Sequence, residues 1–266
     1  MAARVRPAVS IVRFNVEEEQ FTFVGQGEPL LCAGLGELIR QAKALTDIPI
    51  AVITNGSLLF LPEVRAALYP AAIVLPSLDA ADEATFRRLN RPWPRLHLAD
   101  IMAGLVAFRD EFEGQLWVEV MLVKGLNDSE GVLSELAAAL RRVRPDQIHL
   151  NVPIRPPAEA WVEAPDQAGL IRAIAILGQV ATLMTPTAGA FHLDETLPVE
   201  AALVEIIRRH PLRETELIET LDQADQNPAQ VQATLARLAA SEQVYRQLYR
   251  GQAFWRFAGR PKGAGH

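Results

Sequence analysis

The sequence contains a single cysteine, Cys32, among its 266 residues. One thiol cannot form a disulfide within the chain, and it excludes a metal site built from several cysteines of this chain. Long hydrophobic runs are also absent. No apolar stretch approaches the roughly 20 residues that span a bilayer, and residues 1–14 lack the apolar segment of a secretory signal. We therefore expect no membrane contact and a cytoplasmic location.

The sequence has no excess of positive charge. Its formal net charge of -6 excludes a general electrostatic attraction to nucleic acid or to an anionic membrane, so any such contact has to be local. Hydrophobic residues make up 50% of the chain. This composition and length predict a folded protein with one large domain and a smaller one.

Short β-rich runs alternate with longer segments of helical period, which is typical of successive βαβ units and of a parallel sheet or barrel. We predict an α/β fold, a partial (β/α)6 TIM-like barrel. The predicted strands are Phe21–Val24, Ile48–Thr54, Ala72–Leu78, Leu116–Val123, Gln147–Val152 and Thr182–Thr185. The predicted helices are Leu35–Leu45, Pro62–Leu68, Ala81–Leu89, Ala99–Phe112, Gly131–Val143 and Gln167–Val180.

The N-terminal segment does not follow this alternation. Ala8–Val16 resembles a strand, but only residues 17–20 separate it from the next one, and four residues cannot form a parallel crossover. We expect either an antiparallel hairpin partner or a loosely ordered segment. The usual first βα unit of such a barrel is then missing or remodelled.

The C-terminal region has a different pattern. Helices are predicted at Val199–His210, Glu214–Asp222 and Pro228–Ser241, the last with Asn227 as N-cap, and two strands, Val244–Tyr249 and Ala253–Phe257, follow. Three helices and a hairpin in so short a region are typical of a winged helix. The expected organisation is an N-terminal remnant or hairpin strand (1–20), a partial barrel (21–186), a linker (187–198), a winged-helix-like domain (199–258) and a disordered tail (259–266).

A glycine-rich turn, GQGEP, follows the strand that begins at Phe21. Glycines at the C-terminal end of a strand let the backbone approach a ligand closely, although the same turn can also be purely structural. Other polar residues follow or end the later strands. Because the C-terminal ends of parallel strands share one edge of the sheet, we expect these residues to converge there.

The sequence resembles the radical S-adenosylmethionine (SAM) superfamily over residues 21 to about 161. GQGEP is similar to the Gly-Gly-Glu-Pro element of that superfamily. Further blocks follow in the same order, and the ordered set is more specific than any one of them: PIAVITNGSLL, VLPSLDAAD, RLNRP, LWVEVMLVKGLND and LNVPIRPPAE. They resemble a largely uncharacterised branch that ends in a small winged-helix-like domain.

The resemblance implies that the strand edge holds SAM, with the glycine-rich element at the amino end of SAM and the polar residues of the third and fourth strands near its ribose and carboxylate. The implied cofactor-binding residues are Gly25, Gly27, Glu28, Pro29, Thr54, Asn55, Ser77, Asp79, Glu119, Asn127 and Asn151.

Several of these residues have a structural alternative. Asp79 is equally compatible with a helix N-cap, and Asn127 with a turn before the following helix. Glu119 lies in an apolar run, where an unpaired carboxylate is costly, so we expect it to have a partner or a role. Arg91 and Arg155 lie beside prolines, where they can bind a substrate anion or remain solvated.

The resemblance also implies a [4Fe-4S] cluster on a CxxxCxxC set, and this chain has no such set. Cys32 follows the GEP element, so we expect it to be a buried free thiol on the next helix. The five histidines are scattered and predict no metal site. We favour a truncated gene product; a fragment, or a natural chain that has lost its redox centre, are the alternatives.

Three functions remain open on the sequence alone. The first is a radical SAM enzyme that acts on an unknown substrate, and the second is a non-catalytic SAM-fold binding module. The third is a metal-free aldolase-like barrel, for which Lys124 is the one candidate nucleophile. The winged-helix region predicts protein or RNA contact through Arg246, Arg250 and Arg256. It does not predict DNA binding, because its third helix carries only one basic residue.

Overall fold

The computed structural model describes residues 9–15, 18–24, 27–178, 180–183, 191, 193 and 196–259, with the backbone alone for 9–15, 18 and 19. The chain divides into two compact units. The first comprises residues 1–153 and 161–185, and the second comprises residues 154–160 and 186–266.

The first unit alternates strands and helices. Its strands are β1 (Val9–Asn15), β2 (Glu18–Phe23), β3 (Ile50–Thr54), β4 (Ile73–Pro76), β5 (Gln115–Met121), β6 (Gln147–Asn151) and β7 (Ala181–Leu183). Its helices are α1 (Leu35–Leu45), α2 (Pro62–Leu68), α3 (Glu83–Asn90), α4 (Leu98–Glu111), α5 (Glu130–Val143) and α6 (Gln167–Leu177), with a 3₁₀ turn at Pro29–Leu31.

The strands of the first unit form one sheet in which each strand lies beside the one before it, in the order β1 to β7. Strands β2 to β7 are parallel. Strand β1 runs antiparallel to β2, with Val9 opposite Phe23. This α/β architecture with six parallel strands is consistent with a partial barrel.

Alternate residues of the strands belong to two different hydrophobic clusters. Val74, Val118 and Val120 pack in the large cluster that also contains the buried faces of the helices. The neighbouring positions Leu75 and Trp117 belong to a separate cluster on the other side of the sheet. We call this second side the inner face. Consecutive parallel strands joined by right-handed crossovers place their helices on one side of the sheet, which leaves the inner face to the barrel interior.

The helix starts are set by local capping. The side chains of Asp82, Ser129 and Asp166 accept hydrogen bonds from the third residue of α3, α5 and α6 respectively. The N-cap of α3 is therefore Asp82. Asp79, for which the sequence had left an N-cap role open, does not cap this helix. Cys32 ends the 3₁₀ turn and is partly buried. It precedes α1, so the predicted position on the next helix was wrong.

The second unit contains α7 (Val199–Arg209), α8 (Glu214–Gln223) and α9 (Pro228–Ala240), and the strands β8 (Leu212–Arg213), β9 (Val244–Tyr249) and β10 (Gln252–Phe257). The strands form an antiparallel sheet in the order β8-β10-β9. Its core includes Leu203, Leu217 and Trp255.

An ion pair with a buried carboxylate joins residues 154–160 to the rest of the second unit. The guanidinium of Arg155 donates to both carboxylate oxygens of Glu216, each at 2.8 Å, and also to the carbonyl of Pro211. The side chain of Glu216 is 1% exposed. Arg155 therefore binds a carboxylate of its own chain.

Most element bounds agree with the prediction to within two residues. The structure also contains the two-residue strand β8 and the 3₁₀ turn, which the sequence did not predict, and α6 ends three residues earlier than predicted. Within the described part of the chain, no helix is both long and apolar enough to cross a membrane.

Candidate functional site

The C-terminal ends of the parallel strands carry most of the predicted site residues. Thr54 ends β3, Asn151 ends β6, and Ser77 continues β4 by a parallel bridge to Glu119 of β5. The backbone N–H of Ser77 also donates to the carbonyl of Thr54 at 3.2 Å. The sheet therefore places these four residues at its C-terminal end, where the parallel strands finish. We call this end of the sheet the strand edge.

Glu28 holds the GEP element against the end of β3. One oxygen of its carboxylate accepts hydrogen bonds from the hydroxyl of Thr54 at 2.5 Å and from the backbone N–H of Leu30 at 3.0 Å. The other oxygen accepts from the backbone N–H of Asn55 at 2.7 Å. Glu28 thus fixes the position of the turn relative to the strand edge.

Gly27 directly precedes Glu28, and Asn55 directly follows Thr54. Both residues are exposed. A Cβ atom added at Gly27 would meet no atom within 4 Å. The backbone at Gly27 is therefore open to a ligand. Pro29 is buried at the start of the 3₁₀ turn. Gly25 lies outside the described residues.

Ser77, Glu119 and Asn151 belong to the inner face. The β4–β5 bridge pairs Ser77 with Glu119, and the β5–β6 register pairs Met121, two residues after Glu119, with Asn151. Asn151 hydrogen-bonds the Glu119 carboxylate. Burial raises the pKa of Glu119, and the bond from Asn151 opposes that rise. A partly buried carboxylate can accept hydrogen bonds from ligand hydroxyls or interact with a ligand cation.

His149 is a neighbour of Glu119 that the sequence did not single out. The two residues are paired in the β5–β6 register. The ring of His149 lies 5.1 Å from that of Trp117, and its Nε2 is 3.1 Å from the side-chain oxygen of Gln147. Burial lowers the pKa of His149. The signal that could have identified it is its alternation with Asn151, which places both residues on one face of β6.

Asp79 lies just beyond the strand edge and is 8% exposed. Its carboxylate accepts from the side-chain amide of Asn90 at 2.6 Å and from the backbone N–H of Met121 at 2.8 Å. Burial raises the pKa of Asp79 to about 6, the negative charge of Glu119 adds to the rise, and the two hydrogen bonds oppose it. Asp79 therefore connects the end of β4 to the end of β5 and to the C-terminus of α3.

Asn127 is fully buried and completes the same network. Its side-chain nitrogen donates to the carbonyls of Asp79 and Met121, and its side-chain oxygen accepts from the backbone N–H of Val123. All of these partners are internal. Asn127 thus holds the loops around the strand edge in place.

Lys124 does not resemble an aldolase nucleophile. It follows β5, and its ammonium group lies 3.2 Å from the carboxylate of Glu163, with both side chains more than half exposed. A Schiff-base lysine is activated by desolvation or by a neighbouring cation. Lys124 has an anionic partner and a solvated position, so the geometry gives no support to the aldolase hypothesis.

The residues present do not fit an iron–sulfur cluster. In the superfamily that the sequence resembles, such a cluster takes three cysteine thiolates from the protein, and the chain has one cysteine. Among the described residues, no group of three or more His, Cys, Asp or Glu side chains is arranged to hold a metal ion.

Comparison with known proteins identifies the family. Residues 8–137 match the family model described as the radical SAM superfamily. A UPF0026 protein of Methanocaldococcus jannaschii is 32% identical over 215 residues, which cover 79% of this chain and 67% of that protein. The chain belongs to the radical SAM superfamily.

Two further proteins show how far the similarity extends. A protein named GTPase Obg from Brachyspira hyodysenteriae is 40% identical over 136 residues, and this radical SAM chain spans only 20% of its length. A solved domain of pyruvate-formate lyase-activating enzyme from Bacteroides vulgatus has a TM-score of 0.51 at 21% identity, covering 62% of this chain and 98% of that one. The structural likeness concerns the fold.

Proposed function

We propose that this protein binds S-adenosyl-L-methionine at the strand edge of its first unit. The observation that carries this proposal is the convergence of the GEP element, held by Glu28 on Thr54 and Asn55, with the Ser77–Glu119–Asn151 group. Membership of the radical SAM superfamily supplies the class of ligand.

The proposed site residues fall into two groups. Gly27, Asn55, Ser77, Glu119 and Asn151 form the ligand-facing group, with the backbone at Gly27 at the amino end of SAM and Ser77 and Glu119 near its ribose and carboxylate. Gly25, which lies outside the described residues, and the buried Pro29 belong to the same glycine-rich element. Glu28, Thr54, Asp79 and Asn127 form the positioning group, because their side chains bond to the protein itself.

A [4Fe-4S] cluster, where one is bound, would supply the electron for radical chemistry on SAM. This chain does not provide the thiolates for that cluster, so radical chemistry would depend on cysteines outside it. We propose a radical SAM enzyme whose cluster ligands lie outside this chain and whose substrate is unknown. The single cysteine favours a second candidate, a non-catalytic SAM-binding module. A CxxxCxxC codon set in the nucleotide sequence preceding Met1 would support the enzyme.

The second unit is proposed as a winged-helix domain for docking or substrate presentation. Its element order, helix, short strand, two helices and a hairpin, supports that assignment. Two of the predicted RNA-contacting arginines have internal partners, since Arg246 binds the carboxylate of Glu214 in a bidentate pair and Arg256 bonds to Gln247. These contacts weaken the support for RNA binding through the two arginines.

Isothermal titration calorimetry with SAM tests the binding site. The wild-type protein should bind SAM, and Glu119→Gln or Ser77→Ala should each weaken binding about tenfold, because the first removes the negative charge and the second the hydroxyl of the inner face. The matched control is Glu135→Gln, which changes an exposed carboxylate on α5. Absence of SAM binding to the wild type, or equal affinity in all variants, would contradict the proposal.

A further inference from the structure

A basic segment, flanked by Asp82, Glu83 and Asp100, runs from α3 through the following loop into the first turn of α4. Residues 84–99 contain no aspartate or glutamate, but they include Arg87, Arg88, Arg91 and Arg95. Arg87 is paired with Glu83, which lies just before this segment. A local excess of cations on a protein of net charge -6 marks a surface for an anionic partner.

This segment is attached to the strand edge. The side-chain amide of Asn90, the last residue of α3, donates to the carboxylate of Asp79 at 2.6 Å. The residues that follow Asn90 therefore leave α3 beside the end of β4. Arg88 and Arg95 are seven residues apart, so the chain separates them by at most about 25 Å.

Two exposed tryptophans accompany the arginines. Trp93 is 61% exposed and Trp161 is 41% exposed, whereas Trp117 and Trp255 are buried. The guanidinium of Arg95 lies 5.3 Å from the ring centre of Trp93, and that of Arg88 lies 5.2 Å from the ring centre of Trp161. Both arginines are exposed. We call these two pairs the Trp–Arg pairs.

The chemistry of the Trp–Arg pairs selects one kind of anion. Flat aromatic rings and guanidinium planes stack on nucleobases, and the cationic groups attract the phosphates of the same strand. An acidic peptide would satisfy the charge but would leave the exposed indole faces without a matching flat group. A duplex keeps its bases stacked on one another, so a single strand fits these side chains better. Glu163, two residues after Trp161, is paired with Lys124.

We propose that the Trp–Arg pairs bind a single-stranded polynucleotide and hold it beside the strand edge. These residues belong to the first unit, whereas the sequence had predicted RNA contact through the second. The proposal goes beyond SAM binding and does not depend on it, since it rests on Trp93, Trp161, Arg88 and Arg95 alone.

Fluorescence anisotropy with labelled 12-nucleotide RNA and DNA single strands of mixed sequence tests the proposal. Wild-type protein should bind at least one of them, more weakly as salt rises. Trp93→Ala and Trp161→Ala should each weaken binding about tenfold. Trp93→Phe should retain most of the affinity, because it keeps an aromatic face. The relative affinity for RNA and DNA identifies the natural source of the strand.

Intrinsic fluorescence gives a second readout that does not require variants. The exposed tryptophans are Trp93 and Trp161, so quenching of the indole emission by an unlabelled oligonucleotide reports stacking on them. Arg88→Ala combined with Arg95→Ala should weaken binding. The matched charge control is Arg141→Ala combined with Arg142→Ala, two exposed arginines on α5, which should keep the affinity of the wild type.

Three results would overturn the proposal. These are no binding of either strand by the wild type, equal affinity of the tryptophan variants and the wild type, and displacement of the strand by polyglutamate at equal charge concentration. SAM affinity measured on the same samples separates this outcome from a failure of the proposed SAM site, because Trp93→Ala and Trp161→Ala leave Ser77, Glu119 and Asn151 in place.

Discussion

Asp79 is the residue whose protonation should influence stability most clearly. Its carboxyl group is buried, and its pKa in the folded protein is about 6, against an ordinary value of 3.8. A raised carboxyl pKa means that the ionised group disfavours the folded state. The cost is absent below about pH 4, grows as the pH rises to about 6, and is constant above that pH.

The variant Asp79→Asn removes this titration. The free energy of unfolding of the wild type, relative to that of Asp79→Asn, should therefore fall by up to about 3 kcal/mol between pH 4 and pH 7. Urea unfolding followed by circular dichroism at the two pH values measures the difference. A difference that does not change with pH would show that Asp79 does not titrate in this range.

Glu111 provides a control of opposite sign. Hydrogen bonds from Arg65 and Tyr69 lower the pKa of Glu111 to about 2. A lowered carboxyl pKa contributes stability above the ordinary value of 4.5, and that contribution is lost as the pH falls towards 2. The stability of the wild type relative to Glu111→Gln should thus rise between pH 3 and pH 5.

At the scale of the element, one glycine determines how closely α4 approaches the rest of the first unit. A Cβ atom at Gly104 would lie 2.4 Å from the backbone nitrogen of Phe60 and 2.5 Å from the carbonyl carbon of Leu59. These are backbone atoms, so they cannot move aside as the end of a flexible side chain can. Helix α4 and the loop that follows β3 must move apart to accommodate any larger residue at position 104.

Gly104→Ala should therefore destabilise the protein by about 2–4 kcal/mol, through overpacking against the backbone. Gly131→Ala is the matched control, because it also lies in a helix and a Cβ atom there meets nothing within 4 Å. That control should be neutral or stabilising by up to about 1 kcal/mol. Differential scanning calorimetry compares the two variants, and equal melting temperatures would refute the close approach.

The Arg155–Glu216 ion pair holds residues 154–160 against α8 within the second unit. Removing the arginine leaves a carboxylate that is 1% exposed, with Arg213 as its remaining neighbour at 3.6 Å. Arg155→Ala should cost about 2–4 kcal/mol of stability in the second unit. Arg40→Ala, which breaks an exposed pair with Glu37 in α1, should cost less than about 0.5 kcal/mol.

Hydrogen exchange measured by mass spectrometry localises this effect. Amides of α8 should exchange faster in Arg155→Ala and should be unaffected in Arg40→Ala. If both variants leave α8 unchanged, then the buried pair does not stabilise the unit.

Sequence patterns were sufficient for most elements. The periodicity of α1 and α2 predicts their ends to the residue, and Asn227 caps α9 as predicted. The cap of α3 was less predictable, since both Asp79 and Asp82 precede the helix and only the extension of β4 through Ser77 decides between them. Strand β8 has two residues, too few to produce an alternating pattern.

At the scale of the whole molecule, the strand edge was predictable as a location but not in its contacts. The convergence of Ser77 and Glu119 follows from the parallel order alone. The hydrogen bonds that Glu28 accepts from Thr54 and Asn55 join residues about 26 positions apart, and the sequence contains no local signal for them. The same holds for the pairing of Glu119 with His149.

The cysteine count leads to a prediction for the intact chain. Anaerobic reconstitution with iron and sulfide should give no stoichiometric [4Fe-4S] cluster, because one thiolate cannot replace three. Iron and sulfide analysis together with the absorbance near 400 nm measures the outcome. About four irons and four sulfides per chain would show that ligands other than cysteine complete the site.

The most direct test of the account is a crystal structure of the chain with S-adenosyl-L-methionine. The account predicts ligand density at the strand edge, within hydrogen-bonding distance of Ser77 or Glu119 and against the backbone at Gly27. Density at another surface, or a strand edge that stays empty at ligand concentrations that saturate binding in solution, would contradict it.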